Sequence, residues 1–221
     1  CWMVQNLDLD LSTSVALTNQ NTDLNSKASW TPQNSTQTTT GTVWAEDGGD
    51  TARSMDPGNI YLPGGMGSGT ADSVGNLQGA TSGEPWELIG NYYNWYAATA
   101  GSGTSTVIGN DAPDSICPKG WKLPDKSGEK SVQNLFVTAY GIANDATGAS
   151  KATATPLNLA RGGLYWWSNG RIGNQGAVGY WYTATADTRT DAYVFTISST
   201  SVSPYDLAIR GNGRTIRCVA R

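Results

Sequence analysis

Leu164-Tyr165-Trp166-Trp167, Gly179-Tyr180-Trp181-Tyr182, Ala192-Tyr193-Val194-Phe195-Thr196-Ile197 and Thr215-Ile216-Arg217-Cys218-Val219 are four short runs rich in aromatic and β-branched residues. Each repeats with a period of two and is bounded by Gly, Asn, Asp or Pro, the pattern of strands on a pleated, half-buried surface. Together they predict an antiparallel meander at the end of the chain. Adjacent residues of a strand point to opposite faces, so one of Trp166 and Trp167 belongs to the core. For the same reason only alternate members of Gly179 to Thr185 can face outward.

Upstream of the meander the period changes. Val132, Leu135, Phe136, Ala139 and Tyr140 fall at helical spacing behind Ser127 or Ser131 as a cap, and Gly141 closes the stripe. In Asn91-Tyr92-Tyr93-Asn94-Trp95-Tyr96-Ala97-Ala98-Thr99-Ala100 the Ala-rich end before Gly101 suits a short helix with a Gly stop. At the start of the chain Leu7, Leu9 and Leu11 alternate with Asp8 and Asp10 as a half-buried strand. Residues 18–85 lose all periodicity and hold only isolated aromatics such as Trp30, Trp44 and Tyr61. They read as a loop-rich insertion that wraps the surface. An opening strand, two helices and a terminal set of strands make an α+β fold, a small twisted antiparallel sheet in which the first and last strands pair. The whole of 1–221 reads as one elaborated domain.

Charged residues are only 14% of the chain, against 27 Gly and abundant Ser, Thr and Asn, a balance typical of secreted and surface proteins. The net charge of −4 hides an asymmetry. Residues 161–221 hold seven of the eight arginines and nine of the 21 aromatics, with only three acidic groups. Tyr, Trp and Arg among small adaptable residues are the composition of a recognition surface. The charges are scattered singly and the remainder of the chain is acidic, so nucleic acid is an unsuitable partner.

Histidine is absent, which removes Ser/His and Cys/His nucleophile pairs and His-rich metal sites. The scattered Asp and Glu show no spacing of an acid/base pair, and the chain is read as a non-enzyme. No apolar run reaches the ~20 residues of a membrane span. A chain opening on Cys1-Trp2-Met3 inside an apparent strand reads as the interior of a longer product, with any signal or anchor removed. Cys1, Cys117 and Cys218 are an odd number without metal spacing, so disulfide use leaves one thiol over, and three reduced buried cysteines are the alternative.

In Cys117-Pro118-Lys119-Gly120-Trp121-Lys122-Leu123-Pro124 the prolines fix φ, Gly120 permits a tight turn, and Trp121 and Leu123 share a face. With Cys1-Trp2-Met3, Gln5-Asn6-Leu7, Gly90-Asn91-Tyr92-Tyr93-Asn94-Trp95 and Ile216-Arg217-Cys218-Val219, this motif resembles the Fibrobacter succinogenes major paralogous domain family. The likeness spans the chain except its insertion. It implies a C-type-lectin-like fold on an extracellular or cell-surface protein. It also implies a Cys117–Cys218 disulfide, if the two lie near each other, with Cys1 pairing upstream in a longer chain.

Where relatives read roughly Gly-Tyr-Tyr-Trp-Ser-Ser-Thr, this chain has Gly179-Tyr180-Trp181-Tyr182-Thr183-Ala184-Thr185, and it departs again over Tyr205 to Arg210. The pattern resembles the variable region of proteins diversified by retroelements, placed in 161–221, with ordinary drift of solvent loops as the alternative. On that likeness the expected contact residues are Trp181, Tyr182, Thr183, Thr185, Asp187, Arg189, Tyr205, Asp206, Leu207, Ile209 and Arg214. The ligand would be a surface protein or a glycan, with a self-associating fimbrial or surface-layer subunit as the alternative. Lectins of this fold bind sugar through calcium with Glu-Pro-Asn and Trp-Asn-Asp motifs. Glu84-Pro85-Trp86 and Trp167-Ser168-Asn169 lack the final ligand of each. Asp47, Asp50 and Asp56 offer some oxygens for calcium, but acidic loop residues are usually just solvated, and no cofactor is assigned.

Overall fold

The computed structural model describes residues 1–3, 6–7, 33–34, 60–62, 92–100, 102–103, 107–154, 156–166, 171–174 and 176–221. In chain order its elements are β1 (Gln33–Asn34), β2 (Ile60–Leu62), β3 (Tyr92–Tyr93), α1 (Trp95–Ala98), β4 (Trp121–Lys122), the π-helical α2 (Gln133–Thr138), α3 (Ala146–Thr153), β5 (Leu164–Trp166), β6 (Arg171–Gly173), β7 (Gly179–Ala186), β8 (Asp191–Ile197), β9 (Val202–Ile209) and β10 (Val219–Ala220). Mixed α and β content with small, mainly antiparallel sheets agrees with the expected class.

The meander is real but differently composed. β7, β8 and β9 form a consecutive antiparallel sheet, whereas β5 pairs with β6 and β10 pairs with β4. β9 has no clean apolar alternation because Pro204 and Asp206 interrupt it, and a register shift between Val194 and Thr196 of β8 accommodates the irregular stretch. The ends of the chain pair as expected. Trp2 bridges Val219, Met3 N–H donates to Cys218 O at 3.0 Å, and Leu7 N–H donates to Ile216 O at 2.9 Å. The alternating Leu9 and Leu11 lie outside the described residues.

Cys117 and Cys218 form a disulfide, with Cα atoms 5.9 Å apart and a sequence separation of 101. Gly120, at φ +84°, makes the turn that Trp121 N–H closes on Pro118 O at 2.9 Å. Leu123 is buried and Trp121 packs on the same cluster.

The helices follow their local chemistry. Asn94 caps α1 by accepting from Ala97 N–H, and the chain leaves α1 through Ala100 at φ +51°. Gly101, the expected stop, lies outside the described residues. Ser131, not Ser127, caps the second helix by accepting from Asn134 N–H at 3.2 Å. Its i→i+5 bonding, as in Ile142 N–H to Val137 O at 3.0 Å, widens the turn. The i, i+4 stripe therefore drifts. Val132 and Phe136 are buried, but Ala139 and Tyr140 are exposed, contrary to the stripe. α3 has no counterpart in the sequence reading because Ala, Thr, Gly and Ser give no apolar stripe. Asp145 caps it by accepting from Gly148 N–H at 2.7 Å.

In the β7-β8-β9 sheet, β7 and most of β8 are buried on both faces, while β9 stays partly exposed. Trp181, Phe195 and Ile197 face a cluster with Trp2, Val132 and Phe136. Tyr182, Ala184, Ala192 and Val194 face another, built around the disulfide with Trp95, Leu123 and Ile216. The outer side of β7 is covered by the preceding segment. Ala112 N–H donates to Ala184 O at 2.8 Å, and Ala184 N–H to Pro124 O at 2.9 Å. Small side chains at Thr183, Ala184, Thr185 and Ala186 permit this close approach.

Three arginines of the terminal segment, Arg210, Arg214 and Arg217, are buried. This corrects the expectation that the arginine-rich segment lies at the surface. Arg217 reaches Asn6 Oδ1 through Nε, Met3 O and Leu157 O through Nη1, and Asn158 O through Nη2, all within 2.8 to 3.0 Å. Burial pushes its guanidinium down to about 9, so it remains charged at neutral pH. Asn6 Oδ1 also accepts from Trp181 Nε1–H at 2.8 Å, which ties the segment at residues 1–7, β7 and the chain end at one oxygen.

Candidate functional site

The expected contact residues divide by burial. Trp181, Tyr182, Thr183, Thr185 and Arg214 are buried and offer no surface to a ligand. Trp181 stacks on Phe195 with centroids 4.7 Å apart. The Tyr182 hydroxyl lies 2.7 Å from Ile209 O and 2.9 Å from Asn212 O. Thr183 Oγ1 donates to Tyr193 O at 2.9 Å, and Thr185 Oγ1 donates to Asp111 Oδ1 while accepting from Lys126 N–H at 2.9 Å. Arg214 Nη1 serves Tyr182 Oη and Ile209 O. The physical reason is the covering of β7 on both faces and along its outer edge.

The remaining six lie on the edge strand β9 and on the turn between β7 and β8. Tyr205 is 46% exposed and Leu207 52%, with Asp206 exposed between them. Ile209 and Asp187 are half-buried, and Arg189 is exposed. Leu207 pairs with Tyr193 and Ile209 with Asp191, so period two brings Tyr193 and Leu207 to one face.

The frame beneath is fixed by hydrogen bonds. In the β7–β8 turn Asp187 N–H and Thr188 N–H donate to Asp191 O at 2.9 and 3.1 Å, and Thr190 Oγ1 donates to Asp191 Oδ2 at 2.8 Å. Buried Arg210 holds this turn from inside through Thr188 O and Val107 O, with its guanidinium 4.3 Å from the Trp95 ring centroid. Arg189 is thus presented on a preorganised turn.

Tyr193 and Lys126 complete the strip and escaped the sequence reading. Lys126 Nζ sits 3.7 Å from the Tyr193 ring centroid, and Tyr193 Oη donates to Asp187 Oδ1 at 2.5 Å. The period of Ala192 to Ile197 did place Tyr193 opposite Val194, but a buried strand gave no reason to choose it. Trp166 is 38% exposed on β5, and Trp167 lies outside the described residues.

A second feature is a cavity of about 230 Å³ lined by Asp111, Asp114, Ser115, Lys122, Asp125 and neighbours. Lys122 Nζ meets Asp125 Oδ2 at 2.5 Å. Desolvation raises the Asp125 carboxyl above its ordinary value of 3.8; the Lys122 bond opposes this and Asp111 adds to it. The fold thus binds this proton more tightly than the unfolded chain. Its stabilisation is full below 3.8 and is lost as pH rises through the elevated native value. Asp125→Asn, which keeps an acceptor for Lys122, is expected to gain stability over the wild type as pH rises from about 4 to about 7. Urea midpoints across that range check it, and a constant difference between the two proteins refutes it.

Among the described residues no three or more Asp, Glu or Cys side chains are grouped to hold a metal ion, and no helix is long and apolar enough to cross a membrane. Glu84, Asp47, Asp50, Asp56 and the Trp167-Ser168-Asn169 run all lie outside the described residues. No protein-family model, curated protein or solved structure matches the chain.

Proposed function

We propose that the domain is a non-enzymatic recognition module of a secreted or cell-surface protein, C-type-lectin-like in fold, that binds a surface protein or glycan. The contact surface is the strip of Tyr205, Leu207 and Ile209 with Asp187, Arg189, Tyr193 and Lys126, with Asp206 on the other side of the exposed edge strand. The observation that carries this reading is the pair Tyr205 and Leu207, two large side chains half in solvent on a strand whose backbone is fixed. Exposed aromatic and apolar anchors beside an arginine on a rigid frame suit a binding hot spot. The disulfide is compatible with an oxidising compartment. Diversification by a retroelement, if it operates, would act on this strip, since substitution at the buried positions would disturb the frame.

Self-association by strand addition along β9 is the weaker reading. Pro204 has no N–H to offer, and Asp206 Oδ1 accepts from Leu207 N–H at 2.9 Å, which closes a donor that an added strand would need. An adhesin sediments as a monomer, whereas an assembling subunit grows with concentration.

The test is a glycan and cell-surface-protein array probed with the purified domain. Tyr205→Ala combined with Leu207→Ala is expected to weaken any hit by about thirtyfold or more. Both positions are exposed, so the unfolding free energy should change by less than about 1 kcal/mol. Undiminished binding by the folded double variant removes the strip as the site.

A further inference from the structure

The three buried guanidiniums are not equally complete. Arg217 uses Nε, Nη1 and Nη2 on four different oxygens, and Arg210 lies on the Trp95 ring with backbone carbonyls around it. Arg214 differs. Only 4% exposed, it commits Nη1 to Tyr182 Oη at 3.0 Å and Ile209 O at 3.1 Å. Its buried Nε–H has no hydrogen-bond partner. No carboxylate among the described residues pairs with it.

A buried charge is normally paired, and a buried donor is normally satisfied, because each failure costs desolvation that nothing returns. Arg214 is held in place regardless. Its backbone exchanges two hydrogen bonds of 2.8 Å with Tyr93, and its guanidinium lies 5.5 and 5.2 Å from the ring centroids of Tyr180 and Tyr182. The two rings stand on the face of the sheet opposite to Tyr193 and Leu207, so this place lies behind the recognition strip and shares with it only the Ile209 carbonyl. Tyr180 is the half-exposed wall. Its hydroxyl is tied by Asn174 Nδ2 at 3.0 Å, and Asn174 is exposed.

We propose that Arg214 is a binding site for a carboxylate group. The carboxylate would take the free Nε–H side of the guanidinium and neutralise the buried charge, with the Tyr180 ring as the outer wall that turns aside to admit it. Carboxylate is the favoured anion because the guanidinium fork matches its planar pair of oxygens, and the tyrosine cage suits a flat group.

The test follows the Nε–H resonance of Arg214 by ¹H–¹⁵N NMR in the intact domain, assigned by its disappearance in Arg214→Lys. Acetate is expected to shift this resonance saturably, whereas acetamide and chloride at matched ionic strength leave it in place. No shift with acetate overturns the proposal, and an equal shift with chloride overturns it in favour of unselective anion contact. Arg214→Lys, which lacks the planar fork, should bind acetate roughly tenfold or more weakly by calorimetry. Should that variant not fold, Tyr180→Phe keeps the ring and cuts only the tie to Asn174. It should bind acetate at least as tightly as the wild type, and abolished binding in that folded variant counts against the site.

Discussion

Cutting the Cys117–Cys218 bridge, by reduction or as the Cys117→Ser and Cys218→Ser double variant, is expected to lower the unfolding free energy by about 4–5 kcal/mol. The size comes from the loop. The two cysteines lie 101 positions apart, and a cross-link over roughly 100 residues removes a large share of the unfolded chain's freedom. The bridge also lies within the cluster that joins α1, Trp121 and Leu123 after the Gly120 turn, and Ile216 before β10, so its loss loosens both the entry to the helical region and the approach to the chain end. For a domain of this size the loss corresponds to a Tm lower by roughly 10 °C or more. Both cysteines are fully buried, so a reductant without denaturant should act only as fast as the domain opens. Thermal unfolding with and without reductant, beside the double variant, measures the effect. A fall of less than about 1 kcal/mol would show that packing alone fastens the two ends.

Trp181→Ala is expected to cost about 3–5 kcal/mol of stability, in the range of large aromatic deletions from a core. Trp181 is fully buried and stacked on Phe195, and its Nε1–H is one of two donors to Asn6 Oδ1. Gly179 is matched to it, because a Cβ there would run into the indole ring. Deletion therefore opens a cavity and also loosens the Asn6 oxygen that Arg217 shares. A surface contact would behave in the opposite way, losing ligand while leaving stability unchanged. Urea unfolding of the variant separates the two, and a midpoint close to the wild type would return Trp181 to the contact surface.

Much of the frame was legible because its signals are local or pairwise. Ser127 or Ser131 before an apolar stripe and Gly120 between two prolines point to their structural roles locally, and the Cys117–Cys218 pairing follows from the family resemblance. What escaped depends on parts of the chain far apart in sequence. β7 alternates like a strand with one wet face, yet the segment from Asp111 to Pro124 lies along its edge and a cluster covers each face. That places Trp181, Tyr182, Thr183 and Thr185 inside. The arginines mislead for a related reason. Arg210 and Arg217 satisfy their guanidiniums on backbone carbonyls, and a carbonyl leaves no mark in a sequence. Composition thus counted as surface what is partly scaffold. β9 is absent from the four runs of the expected meander because Pro204 and Asp206 break its alternation.

The most direct test of a fixed frame carrying one exposed strip is hydrogen–deuterium exchange of the domain with and without a ligand found on the array. Protection on binding should be confined to the β9 stretch Ser203 to Ile209 and the turn Asp187 to Thr190. Protection centred instead on the β5–β6 hairpin around Trp166, with those two segments unchanged, would contradict it.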